Sequence, residues 1–116
     1  MSESVFLLLL TILMPVCTAR VINKGAEFDK DGLAKVEMTV RPAADCFGRC
    51  TGLVRYQIVY SDGKTQHTSR GLVDWFSKAG EDAMVKDRLY ESSCRGGSCT
   101  VQGVEIVDVD CLTDRK

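Results

Sequence analysis

The cysteines constrain this chain more than any other feature. Cys46, Cys50, Cys94, Cys99 and Cys111 fall between residue 20 and the end of the sequence, and Cys17 follows an apolar N-terminal run. The C-terminal group reads SCRGGSCTVQGVEIVDVDC from Ser93 to Cys111: a tight Gly-rich loop, a β-rich run and a last cysteine. A disulfide can close the loop, or its two thiols can staple it to distant segments. The strand that follows is expected at the centre of the fold.

The N-terminal run decides what those thiols become. Val5 to Met14 is predominantly apolar, and it is too short for a bilayer, which needs ~20 residues. Cys17-Thr18-Ala19 then supplies a small-x-small site. This is the pattern of a secretory signal peptide, although Met1 to Ser4 lack its usual basic residue. The expected organisation is a leader over residues 1–19 and one small secreted, extracellular domain over residues 20–116. Outside the cell, disulfides form and each adds roughly 2–4 kcal/mol. Losing Cys17 with the leader leaves an odd number of cysteines. Two bridges then leave one thiol, either buried or joined to a second chain in a disulfide-linked homodimer. The spacing leaves the connectivity open.

The mature segment alternates like a β protein over much of its length. Val21 to Phe28 reads as a first strand and Asp29 to Gly32 as a turn. Val36, Met38 and Val40 alternate with Lys35, Glu37 and Thr39, as in a strand with one wet face. Val54, Tyr56, Ile58 and Tyr60 form the clearest apolar strand face. Asp62-Gly63 is a hairpin signal, with a polar return strand to Ser69 at a sheet edge. From Gly71 the period changes: Leu72, Val73, Trp75, Phe76 and Ala79 fall at helical spacing, and Met84, Val85, Arg88 and Leu89 repeat it. Continuation of the sheet through residues 72–79 is the alternative. Thr100 to Cys111 is a strand of broken phase, for which Gly103 suggests a bulge. Residues 112–116 read as a charged, frayed tail. The expected fold class is α+β: an antiparallel sheet of about four or five strands, one or two short helices, and disulfide staples.

The chemistry-bearing residues are few. The chain holds one histidine. His67 lies in a polar strand, so an acid–base triad built on it is not expected. The expectation is a protein that is not an enzyme. Asp29-Lys-Asp-Gly32 begins like a calcium loop, but the twelfth position is Val40 rather than a bidentate Glu. Neither metal nor cofactor is expected. Without Glu3, acidic residues fall from 16 to 15 and match the 15 basic ones, so no global field draws nucleic acid or an anionic membrane. The binding candidates are Arg49, between Cys46 and Cys50, Arg95, between Cys94 and Cys99, and the aromatic pair Trp75 and Phe76.

Two local likenesses accompany these residues. Cys94-Arg-Gly-Gly-Ser-Cys99 with Gly103 and Cys111-Leu112 resembles the C-terminal cysteine block of Diedel-like proteins, small secreted immune modulators of insects. It departs from that block in having no cysteine from Val104 to Asp110. Cys46 to Cys50 resembles one element of the growth-factor cystine knot, without a terminal Cys-x-Cys. The expected function is a secreted, non-catalytic factor that binds an extracellular protein in signalling, immune modulation or action on a host. The alternative is a protease inhibitor offering Arg49 or Arg95 on a constrained loop.

Overall fold

The computed structural model describes residues 17–43, 46, 48–78 and 80–114. The leader expected over residues 1–19 therefore lies outside the described residues as far as position 16. The described chain is built almost entirely of β-strands: β1 (Ala19–Phe28), β2 (Leu33–Pro42), β3 (Arg49–Ser61), β4 (Gln66–Ser77), β5 (Ala83–Tyr90), β6 (Thr100–Val109) and β7 (Leu112–Asp114). A short 3-10 turn, Ser92–Cys94, precedes β6. The expected α+β class is thus corrected to all-β.

All the strands pair antiparallel, in two sheets. The first has the order β1-β2-β5; the second has the order β4-β3-β6, with β7 added to the start of β3. Neighbouring edges of the two sheets approach each other, β1 against β6 and β4 against β5. The result is a sandwich whose core is the two inner faces. Ala34, Val36, Met38 and Val40 line the core from β2, and Val54, Tyr56, Ile58 and Tyr60 line it from β3. Both rows are the alternating sets visible in the sequence.

The two expected helices are strands. Residues 71–77 continue β4, and Leu72 pairs opposite Arg55, Val73 opposite Val54 and Trp75 opposite Gly52. The helical period misleads because both faces of this strand carry large apolar residues. Val73 and Trp75 point inward, while Leu72 and Phe76 are over half exposed. Superposed, the two alternating sets imitate a spacing of three to four residues. Residues 83–90 contain good helix formers, yet pairing with β2 from Leu33↔Tyr90 to Val40↔Ala83 overrides that propensity. It buries Ala83 and Val85 against the core.

The broken phase of β6 has a clear cause. Its register against β3 slips twice, between Val59 and Tyr60 and between Arg55 and Tyr56. Gln102, beside Gly103, and Val107 are the extra residues, so Val101, Val104, Ile106 and Val109 all stand opposite the inward row of β3. β6 itself runs at the edge of its sheet, and β3, which pairs with β4, β6 and β7, is the centre. The expectation of a central β6 is corrected accordingly. Leu112 to Asp114, expected in a frayed tail, pair with Arg49 to Thr51.

Two glycines are required by close approach. The ring and hydroxyl of Tyr56 occupy the space a Cβ on Gly71 would fill, and the backbone carbonyl of Asp110 occupies that of Gly52. The hydroxyl of Tyr56 crosses the core and donates to Asp87 Oδ2 on β5. Burial, followed by the Asp87 carboxylate, pushes the phenol well above its ordinary pKa. Tyr56 therefore stays protonated and ties the two sheets together at that point.

Candidate functional site: cysteine staples and an apolar outer face

Cys17 starts the described chain just before β1, Cys46 lies between β2 and β3, Cys50 is the second residue of β3, and Cys111 sits between β6 and β7. Pairing of Ala19 with Pro42 and of Cys50 with Thr113 brings these four segments to one end of the sandwich. The four sulfurs lie within 4.8 Å of one another. Cys17 Sγ is within bonding reach of both Cys46 and Cys111, with Cα separations of 5.7 and 5.3 Å, and lies 3.5 Å from Cys50 Sγ. One sulfur forms one disulfide, so the four can close at most two bridges, in one of three pairings; in the geometry described Cys50 is the unbridged, buried thiol. Burial pushes the Cys50 thiol up, which slows its attack on a neighbouring bridge. Fully reduced, the same four sulfurs offer a thiolate set of the kind that holds zinc, for which sulfur separations of ~3.8 Å follow from Zn–S bonds of ~2.3 Å.

Cys17 is the residue that sequence reasoning set aside. It is 6% exposed and belongs to the core cluster. A chain beginning at Arg20 would lack this sulfur, and Cys46, Cys50 and Cys111 could then form only one bridge among themselves. A chain that keeps it can pair all six of its cysteines. Cys46 and Cys50 are buried and Cys111 is half-buried. A thiol left over for an intermolecular bridge is therefore most accessible at Cys111.

The second staple is separate. Cys94 and Cys99 are at disulfide distance, with a Cα separation of 5.1 Å, and close a small ring. The ring docks on the β1–β2 turn: Gly96 N–H donates to Lys30 O at 2.7 Å, and Glu91 N–H donates to Gly32 O at 2.9 Å. Arg95 is exposed at its rim in extended backbone, with φ −64° and ψ 144°. Arg49 is exposed at the start of β3. The two arginines lie on different elements and do not form one site.

The aromatic pair divides. Trp75 is 2% exposed, and its Nε1 donates to Asp110 O at 2.7 Å, locking the chain that leads to Cys111. Phe76, its neighbour, is 55% exposed on the opposite face of β4. Leu112 of β7 and Phe76 flank Thr51 of β3 on that face. Leu72 and Val107 line a groove of about 430 Å³ over Arg55, with Arg70 at its side. Arg55 donates to Asp108 Oδ1 at 2.9 Å and reaches Asp110 Oδ2 at 3.4 Å. These carboxylates, two residues apart on one side of β6, thus serve an exposed ion pair. The apolar outer face went unrecognised in the sequence because Leu72 and Phe76 were assigned to a helix, Val107 to a separate strand and Leu112 to a frayed tail.

His67 Nε2 lies 3.0 Å from Asp62 Oδ2 and 2.9 Å from Thr65 Oγ1. One ring nitrogen makes both contacts, whereas a catalytic relay uses the two nitrogens on opposite sides. Asp62 also accepts the N–H groups of Lys64 and Thr65. Those bonds, Thr65 first and then His67, hold its carboxyl far below the usual range. The constellation serves the hairpin turn.

No family model, curated protein or solved structure matches this chain.

Proposed function

We propose that this protein is secreted and acts without catalysis, by binding another extracellular protein in signalling, immune modulation or action on a host. The supporting observation is the outer face of the second sheet. Leu72, Phe76, Val107 and Leu112 are 54%, 55%, 60% and 62% exposed there. They form two exposed apolar pairs, Leu72 with Val107 beside Arg55 and Phe76 with Leu112 beside Thr51, with Asp74 between them; grouped apolar exposure is a mark of interaction surfaces. The face is carried on hydrogen-bonded strands, so little ordering is needed on binding. The disulfide-distance cysteines are compatible with an extracellular setting, and among the described residues no helix is long and apolar enough to cross a membrane.

The test is binding of the labelled protein to an array of extracellular proteins and cell surfaces, with two variants in parallel. Phe76→Asp with Leu112→Asp should abolish saturable binding. Met84→Asp, at a residue 70% exposed on the other sheet, should leave it intact. Equal loss in both, or in neither, would remove this face from the reading.

The ring at Arg95 supports a second reading, inhibition of a trypsin-like protease. A closed loop presenting an exposed Arg in extended backbone is pre-ordered for an active-site cleft. Stoichiometric inhibition lost on Arg95→Ala, and retained on Phe76→Asp, would favour it over the first. Arg49→Ala tests the other exposed arginine in the same assay.

A further inference from the structure

We infer that β4 is a self-complementary edge, through which two copies of this chain join their second sheets antiparallel about a two-fold axis at Leu72. This inference concerns the strand's edge and stands apart from the binding reading above. β4 ends the order β4-β3-β6, and its only backbone ladder among the described residues is with β3. The twelve residues Gln66–Ser77 therefore carry one edge without backbone pairing, beside which β5 of the first sheet packs through side-chain contacts such as Ser69 Oγ donating to Glu91 Oε1. Such edges are usually blunted by proline, by unmatched edge charges, by inward-pointing charge or by a bulge. β4 contains no proline, its ladder with β3 runs without a register shift, and its two charged residues, Arg70 and Asp74, point outward.

Those two charges choose the partner. They stand symmetrically about Leu72, on the same face as Leu72, Thr68 and Phe76. In an antiparallel pair centred on Leu72, Arg70 of each copy stands opposite Asp74 of the other. Leu72 meets its own counterpart, and Thr68 stands opposite Phe76. Opposite charges and apolar pairs directly across a ladder stabilise it, and like charges there destabilise it. A slide of two residues in either direction loses both charge pairs and sets Arg70 against Leu72 or Phe76. Neither charge has an ion-pair partner within the described chain: Arg55, one strand away, is held by Asp108 and Asp110 instead. The edge thus carries two unmatched charges that match each other only in a second copy. An isologous contact of this kind closes as a dimer and does not propagate. It would run the two second sheets into one, placing both apolar outer faces on the same side.

Sedimentation equilibrium of the intact protein, with and without reductant, tests this. A reversible dimer is expected that persists when no interchain disulfide is present. Arg70→Asp and Asp74→Arg should each weaken it by roughly tenfold or more, because each places like charges opposite one another twice. The double variant Arg70→Asp/Asp74→Arg should return to within about threefold of the original, because the reversed pairs attract again. Far-ultraviolet circular dichroism and the melting temperature of each variant separate dissociation from unfolding. A protein monomeric at all concentrations overturns the inference. So does a dimer indifferent to either single reversal, or one that the double reversal fails to restore, either of which would assign the contact to another surface.

Discussion

Strands β2 and β4 face the core alike and face solvent differently. On β2 the inner row is Ala34, Val36, Met38 and Val40, and the outer row includes the exposed Lys35 and Glu37. Lys86, opposite Glu37 on β5, adds an exposed pair at 3.9 Å, a contact of small worth. On β4 the inner residues Val73 and Trp75 alternate with exposed Leu72 and Phe76. Burial therefore accounts for the apolar row of β2 and the inner row of β4 but not for Leu72 and Phe76. Apolar side chains that gain nothing from the fold suggest a role outside it, and that contrast motivates the binding face.

The sharpest way to break the contrast is to compare adjacent residues on β4. Trp75→Ala should cost about 3–5 kcal/mol in denaturant unfolding, because it empties the core and frees Asp110 O. Phe76→Ala should change stability of the monomer by no more than about 0.5 kcal/mol. Equal costs would mean that Phe76 is part of the core. Next in size, Cys17→Ser should destabilise by about 2–5 kcal/mol if Cys17 is retained and bridged. Intact mass before and after reduction checks the premise: a mature chain beginning at Arg20 would make the variant silent. Met38→Ala should cost about 2–5 kcal/mol, since its side chain is 1% exposed. On the same strand, Lys35→Ala should stay within about 0.5 kcal/mol, which sharpens the inner–outer difference on the sheet that shows it most cleanly.

The smallest effect concerns pH. The folded protein holds the Asp62 carboxyl below its ordinary value, so this group stabilises the fold above the unfolded pKa of ~3.9 and loses that contribution as pH falls below it. Asp62→Asn should flatten the acid limb of a stability–pH curve slightly and leave the neutral plateau's slope unchanged. An unaltered acid limb would show that the turn's hydrogen bonds do not depend on the charge.

Much of the second strand's partner structure was legible in the residues. The alternation of Val36 to Val40 and Val54 to Tyr60, the Asp29–Gly32 and Asp62–Gly63 turns and the edge position of the strand after Gly63 all follow from local pattern. The bulge beside Gly103 was visible as a phase error; the second, at Val107, was not separable from it. Residues 71–90 were misread because period is informative only when one face is polar. β4 carries large apolar residues on both faces, and β5 contains several good helix formers. Of the candidate site residues, Arg49, Arg95 and Phe76 are exposed and Trp75 is buried, a difference that two neighbouring aromatics in sequence cannot reveal.

The sequence by itself determined which residues alternate, where the chain turns and that sulfur chemistry would matter, because these depend on contacts within a few residues. Only the tertiary structure decided that β3 is the centre, that Cys17 joins Cys46, Cys50 and Cys111, and that Leu72, Phe76, Val107 and Leu112 share one exposed face. Those outcomes depend on which strands pair and in what register. Pairing is settled by burial summed over two whole sheets, and no single segment carries that sum.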